Sequence, residues 1–267
     1  MLNYQSENFK SLEELRETAP SIFTKKGSDN TSDKYSHIPT DTVIKDLELL
    51  GWNVVDAKEV KARKQVGYQK HLVVFRNPDV VINGKDGDTV YPQILLTNSH
   101  DGKNSFSFQA GLFRMICENG LVIATKQFEA MKIRHMGYDF ETLQGVIKNM
   151  ISNLDLTVES MNKMKETELT EEQTLDFAKQ LLETRVAGSK NKFGDEAISD
   201  ILTPQRKEDK GNGLWEVFNR VQENIVEGNF QYLTPSGKLR QARPIKNFRQ
   251  DMNINARMYE QALTFAA

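Results

Sequence analysis

The chain has 267 residues, of which 38% are hydrophobic and 27% charged, a composition typical of a folded protein with a packed core. The sequence contains no run of about 18 apolar residues that could span a membrane, and its polar N-terminus lacks the apolar core of a signal peptide. Cys117 is the only cysteine, which excludes an intramolecular disulfide and a cysteine-rich zinc site and favours a reducing cytoplasm.

The first predicted elements are two short helices joined by a polar loop. Ser11 and Glu14 have the spacing of a capping box, which predicts the start of the first helix. Residues 25–33 are rich in turn-forming residues and predict a loop. Thr40 is the expected N-cap of the second helix. Residues 1–36 are therefore expected to form an N-terminal helix and a mobile loop.

The next predicted elements are the strands of a sheet-rich region, residues 52–136. The apolar runs at 72–75 and 94–96 indicate buried strands. From 105 to 112 apolar and polar residues alternate, with Phe106 and Phe108 on one face, which is typical of a half-buried strand.

After residue 138 the apolar residues recur with the 3.6-residue period of helices, and a long amphipathic helix is predicted from residue 139. Strands that cluster early and helices that cluster late predict an α+β fold. We expect an antiparallel sheet in the N-terminal half, packed by helices, and a mostly helical C-terminal half. Residues 37–267 are expected to form a single domain, sheet-rich over 52–136 and helical over 139–267.

The sequence carries no recognisable catalytic motif, so catalysis is not the favoured interpretation. It contains neither a phosphate-binding glycine loop nor histidines at the spacing of a metal-binding helix, and we predict no cofactor and no metal. The segment 98–102 (NSHDG) is interpreted as a hairpin turn, with a ligand-binding or catalytic site as the alternative. That candidate polar site would consist of His100, Asp101, Arg114, Glu118 and Asn119.

The charged residues are distributed unevenly although the net charge is only −2. Residues 57–76 contain six basic residues and one acidic residue, and residues 232–257 again contain six and one. A basic face would form if these two segments meet, whereas the acidic residues of 139–200 could instead neutralise them. Extended basic segments with Tyr232 and Phe248 interleaved can follow a phosphate backbone while bases stack on the rings. The candidate nucleic-acid-binding residues are Lys61, Arg63, Lys64, Arg240, Arg243, Lys246 and Arg249.

Six segments, in this order, resemble one family from about residue 20 to the C-terminus. They are 20–23 (PSIF), 35–40 (YSHIPT), 96–102 (LTNSHDG), 110–122 (AGLFRMICENGLV), 202–209 (LTPQRKED) and 214–224 (LWEVFNRVQEN). The chain resembles the phage/plasmid-like proteins built around domain of unknown function 932. Gln205 departs from the family pattern, which often has a second arginine there, and this slightly weakens an assignment of phosphate binding to residues 205–207.

The resemblance implies a protein of phages, plasmids or integrated elements, located in the cytoplasm of the bacterial host. With the basic segments, it favours a DNA-binding protein of replication or recombination that binds or anneals single strands and can form homo-oligomers. One alternative is an enzyme that acts on nucleic acid or nucleotide. Another is a protein–protein module that targets a host factor through an apolar patch on the helix 139–164.

Overall fold

The computed structural model describes residues 9–33, 35–61, 66–83, 89–104, 106–114, 119–123, 131–133, 139–152, 154–186 and 189–266, and the statements below concern these residues. They form two compact units, Met1–Leu154 and Asp155–Ala267. We refer to these as the first unit and the second unit.

The first unit combines an antiparallel sheet with three helices and one 3₁₀ turn. The helices are α1 (Leu12–Thr18), α2 (Thr40–Leu49) and α3 (Phe140–Ser152), and the 3₁₀ turn is Pro20–Phe23. The strands are β1 (Asn53–Glu59), β2 (His71–Arg76), β3 (Ile82–Asn83), β4 (Thr89–Asn98), β5 (Phe106–Arg114), β6 (Asn119–Ile123) and β7 (Met131–Ile133).

Five strands are hydrogen-bonded in the order β1-β2-β4-β5-β6, while β3 pairs with β4 and β7 pairs with β5. All of these pairs are antiparallel, and the register shifts once, between Val54 and Asp56 of β1. The predicted antiparallel sheet in the N-terminal half is therefore confirmed.

The core of the first unit contains apolar residues of one sheet face together with residues of α1, α2 and α3. Phe106 and Phe108 of β5 are buried there with their rings 5.0 Å apart, as the alternating pattern predicts. Ser107, between them, faces the other way, and its Oγ lies 2.7 Å from Oγ1 of Thr97. Burying each phenylalanine contributes roughly 1.5–3 kcal/mol, so the core supports the sheet from this face.

The second unit is mostly helical, as predicted, and contains one small hairpin. Its helices are α4 (Leu154–Glu166), α5 (Glu171–Val186), α6 (Asp195–Leu202), α7 (Leu214–Glu227) and α8 (Phe248–Phe265). Its strands are β8 (Gln231–Leu233) and β9 (Leu239–Gln241), which pair antiparallel.

One local prediction needs correction, and another extends over a residue outside the described ones. The long helix predicted from residue 139 is helical over α3 and α4, and residue 153 between them lies outside the described residues. Thr40 is the first residue of α2 and not its N-cap, since its hydroxyl bonds to His71 instead. Among the helices that the structure describes, none combines the length and apolar character needed to cross a bilayer.

Candidate nucleic-acid interface

The hairpin β8–β9 presents the second basic segment of the sequence. Tyr232 lies opposite Arg240 and Leu233 lies opposite Leu239, so each pair shares one face of the ribbon. The turn is closed by hydrogen bonds between Thr234 and Lys238, and Gly237 adopts a φ of 75°, which favours glycine.

The hairpin is anchored at its base and along one edge. Backbone hydrogen bonds join Ala242 to Phe230 at 2.9 Å and Ile245 to Val226 at 2.9 Å, which tie the segment to the end of α7. Lys192 pairs with Leu233 through two backbone bonds of 2.9 and 2.7 Å. The surrounding backbone therefore holds the hairpin in place although each strand has only three residues.

The cations of this region are exposed to solvent. We call residues 231–246 the cationic segment; it carries Lys238, Arg240, Arg243 and Lys246, all of them exposed. Within the described residues, none of these four side chains lies within 4.0 Å of a carboxylate. Within the part of the chain that the structure describes, the acidic residues of 139–200 therefore form no direct ion pair at these four positions.

The remaining predicted contacts with nucleic acid are less well defined. Lys61 is exposed just after β1 in the first unit. Arg63, Lys64 and the side chain of Arg249 lie outside the described residues. Of the two predicted stacking aromatics, Phe248 is buried and therefore cannot stack on a base, whereas Tyr232 is half-buried beside the exposed Arg240.

The candidate polar site does not form a single cluster. His100 and Asp101 follow the end of β4, whereas Arg114 pairs in register with Val90 at its beginning. Val90 and Thr97 are seven residues apart, which corresponds to roughly 23 Å along a strand. Asn119 pairs with Arg114 and so shares its end of the sheet, while Glu118 and the side chains of Arg114 and Asn119 lie outside the described residues.

His100 instead belongs to a group of three histidines that only the fold brings together. Its ring centroid lies 4.6 Å from that of His37 and 5.3 Å from that of His71. Nδ1 of His71 lies 3.2 Å from the carbonyl oxygen of Gln69, which can only accept, so Nδ1 carries the proton. Nε2 of His71 then accepts from the hydroxyl of Thr40 at 2.9 Å, and the imidazole is neutral.

Hydrogen bonds around this histidine group connect the loop 24–33 to the end of the sheet. Asn98 donates to the carbonyl of Ile38 and to Thr40, and the amide of Ser28 donates to the carbonyl of His100 at 2.8 Å. No three His, Cys, Asp or Glu side chains of the described chain are placed to hold one metal ion. The 98–102 segment forms the predicted turn, with Gly102 at a φ of 73°, and its buried polar residues serve to position the loop.

A second buried polar network surrounds α7. Asn224 is fully buried, donates to the carbonyls of Ile201 and Thr203, and accepts from Gln205 and Asn229. Arg206 forms an ion pair with Glu223, whose pKa is raised by burial despite this partner. From the sequence, Asn224 could be interpreted as a helix-surface residue or as an addition to the candidate polar site, and its burial in this network was not predicted.

The structure thus defines an α+β protein of two compact units with an exposed cationic hairpin segment and two buried polar networks. The chain belongs to the family described as Domain of unknown function (DUF932), whose model matches residues 29–259.

Two Escherichia coli (strain K12) proteins are similar along nearly the whole chain. UPF0380 protein YafZ is 28% identical over 257 residues, covering 94% of this chain and 89% of the relative. UPF0380 protein YfjQ is 28% identical over 261 residues, covering 94% of this chain and 90% of the relative. No solved structure matches the chain.

Proposed function

We propose that this protein binds nucleic acid through the cationic segment of its second unit, with single-stranded DNA as the preferred form. The supporting observation is that four exposed cations, Lys238, Arg240, Arg243 and Lys246, have no carboxylate partner in the described chain. Cations without an internal partner are available to displace counterions from phosphates, which supplies most of the affinity for a nucleic-acid backbone.

The spacing of these cations suits an extended phosphate backbone. Lys238 and Arg240 lie in and beside the hairpin turn, while Arg243 and Lys246 continue along the chain towards α8. Arg185 adds a further cation at the base, because its guanidinium donates to the carbonyl oxygen of Arg243 at 3.0 Å. The expected role is in replication or recombination of a phage or other mobile element, the setting that the family resemblance implies.

The test is fluorescence anisotropy with a labelled single-stranded oligonucleotide, titrated between about 50 and 300 mM salt, with duplex DNA in parallel. We expect Lys238→Ala/Arg240→Ala to weaken binding at low salt. The slope of log K against log salt should also become shallower by about 1.4, since each phosphate contact on a single strand contributes about 0.7.

The matched control is Lys179→Ala/Lys210→Ala, which removes two exposed lysines from the same unit but outside the cationic segment. This variant should keep the wild-type affinity and slope. The proposal fails if wild-type protein does not bind at low salt and about 10 µM protein, or if both double variants lose affinity equally.

A further inference from the structure

The face of the hairpin that carries Leu233 and Leu239 has an unusual composition for a protein surface. These leucines are direct cross-strand neighbours, and their side chains are 40% and 58% exposed. Lys192 pairs with Leu233 from the other side, so its side chain lies on the same face. The face is therefore an exposed apolar pair next to a cation, with Lys238 in the adjoining turn.

Charge decides what kind of occupant suits this face. Lys192 lies beside Leu233 on this face and Lys238 lies in the adjoining turn, whereas residues 231–246 contain no carboxylate. A partner that covers the leucines must therefore present apolar surface and negative charge within a few ångströms of each other. A single nucleic-acid strand does so, because its bases have apolar faces and its phosphates follow at every nucleotide.

We infer that Leu233 and Leu239 form a base-contacting surface, on which unstacked bases lie while Lys192 and, in the adjoining turn, Lys238 hold the flanking phosphates. This rests on the proposed function and adds a reason for a preference for single strands. In a duplex the base faces are already stacked on one another, so the leucines gain contacts only when bases are unpaired.

The experiment compares an oligonucleotide with a strand of equal length in which the central nucleotides are abasic, so that the phosphates are kept and the bases are removed. Wild-type protein is expected to bind the base-bearing strand about tenfold more tightly, from burial of the two leucines. Leu233→Ser/Leu239→Ser is expected to bind both strands with the affinity that the wild type has for the abasic strand. Its salt slope should equal that of the wild type, because no cation has been removed.

The control Leu175→Ser removes a leucine of α5 that is 47% exposed, and it should keep the full discrimination between the two strands. Thermal melting of each variant establishes that it is folded. The inference is overturned if wild-type protein binds both strands equally, or if the double leucine variant still discriminates. It is also overturned if the leucine substitutions change only the oligomeric state in sedimentation velocity, since the face would then contact a second copy of the chain. Failure of the proposed function is a separate result, namely absence of binding to either strand.

Discussion

His71 shows how burial decides the charge of a side chain in the first unit. The residue is completely buried at the start of β2, with its two ring nitrogens bonded to Ser21 and Thr40. Burial lowers the pKa of His71 to about 4, and the hydrogen bond to Gln69 opposes this only in part. The imidazole is therefore neutral at physiological pH.

This lowered pKa predicts that the first unit loses stability in mild acid. In the unfolded chain His71 has a pKa of about 6.5 and takes up a proton first as the pH falls, so its contribution is complete above about pH 6.5 and is lost progressively towards pH 4. Between pH 7 and pH 5 we expect the free energy of unfolding of this unit to fall by about 2 kcal/mol.

Urea unfolding measured by tryptophan fluorescence can test this, because Trp52 and Trp215 are the only tryptophans and lie in different units. Trp215→Phe leaves a reporter for the first unit and Trp52→Phe a reporter for the second, which contains none of the four histidines. In the Trp215→Phe background, His71→Gln should reduce the difference between pH 7 and pH 5. An unchanged difference would mean that other groups cause the pH dependence.

Asn224 is a buried, fully hydrogen-bonded residue of the second unit, so replacing it measures the cost of leaving its polar partners without a hydrogen bond. Its side-chain amide bonds to two carbonyls at 3.0 and 2.9 Å, and its oxygen accepts two further bonds. We expect Asn224→Ala to destabilise this unit by about 3 kcal/mol, since each buried polar group left without a partner costs roughly 1–3 kcal/mol. Gln205→Ala removes two long bonds of an exposed side chain, to Thr203 at 3.4 Å and to Asn224 at 3.2 Å, and should cost under about 1 kcal/mol. Urea unfolding reported by Trp215 gives both values, and equal losses would contradict the central role of Asn224.

At the scale of elements, the sequence predicted a helix end correctly where the capping residues are close neighbours in the chain. Ser11 and Glu14 form the predicted capping box, and Thr170 and Gln173 form a second one before α5. Thr40 failed as an N-cap because a buried histidine distant in sequence takes its hydroxyl. The hairpin β8–β9 was not predicted, since strands of three residues have too few positions to show a period.

Two glycines of the hairpin region have similar positive φ angles but different space for a side chain. Replacing each by alanine therefore distinguishes the cost of backbone strain from the cost of a steric clash. Gly228 ends α7 with a φ of 76°, and a Cβ there would lie 2.8 and 2.9 Å from the carbonyl carbons of Arg243 and Ala242. Gly237 has a φ of 75°, but a Cβ there would meet nothing within 4 Å. We expect Gly237→Ala to cost about 1 kcal/mol and Gly228→Ala more than about 2 kcal/mol, because only the latter pushes against backbone. Similar losses in urea unfolding would contradict this difference.

At the scale of the whole molecule, the division into two units predicts an independently stable part. Residues 155–267 bury their own apolar residues, among them Phe177, Leu181, Trp215 and Phe218. A fragment beginning at residue 153 is expected to give a helical circular dichroism spectrum and a cooperative thermal transition. Its Trp215 emission should match that of the second unit in the full chain. A fragment without a cooperative transition would show that this unit depends on the rest of the protein.

The sequence by itself determined the fold class, the order of most elements and the family resemblance. These features depend on local periodicity, capping residues and contiguous motifs, which can be read without knowing any distant contact. Charge counts likewise identified the segment 232–257 as basic before its hairpin was known.

Only the tertiary structure decided which candidate residues lie close to one another in space. Strand register put His100 and Arg114 at opposite ends of β4, while packing brought His100 against His37 and His71. Exposure of the cations and of Leu233 and Leu239 was likewise decided by how the hairpin is anchored to α7 and Lys192. The physical reason is that pairing and burial join residues far apart in the chain, and no local pattern records those partners.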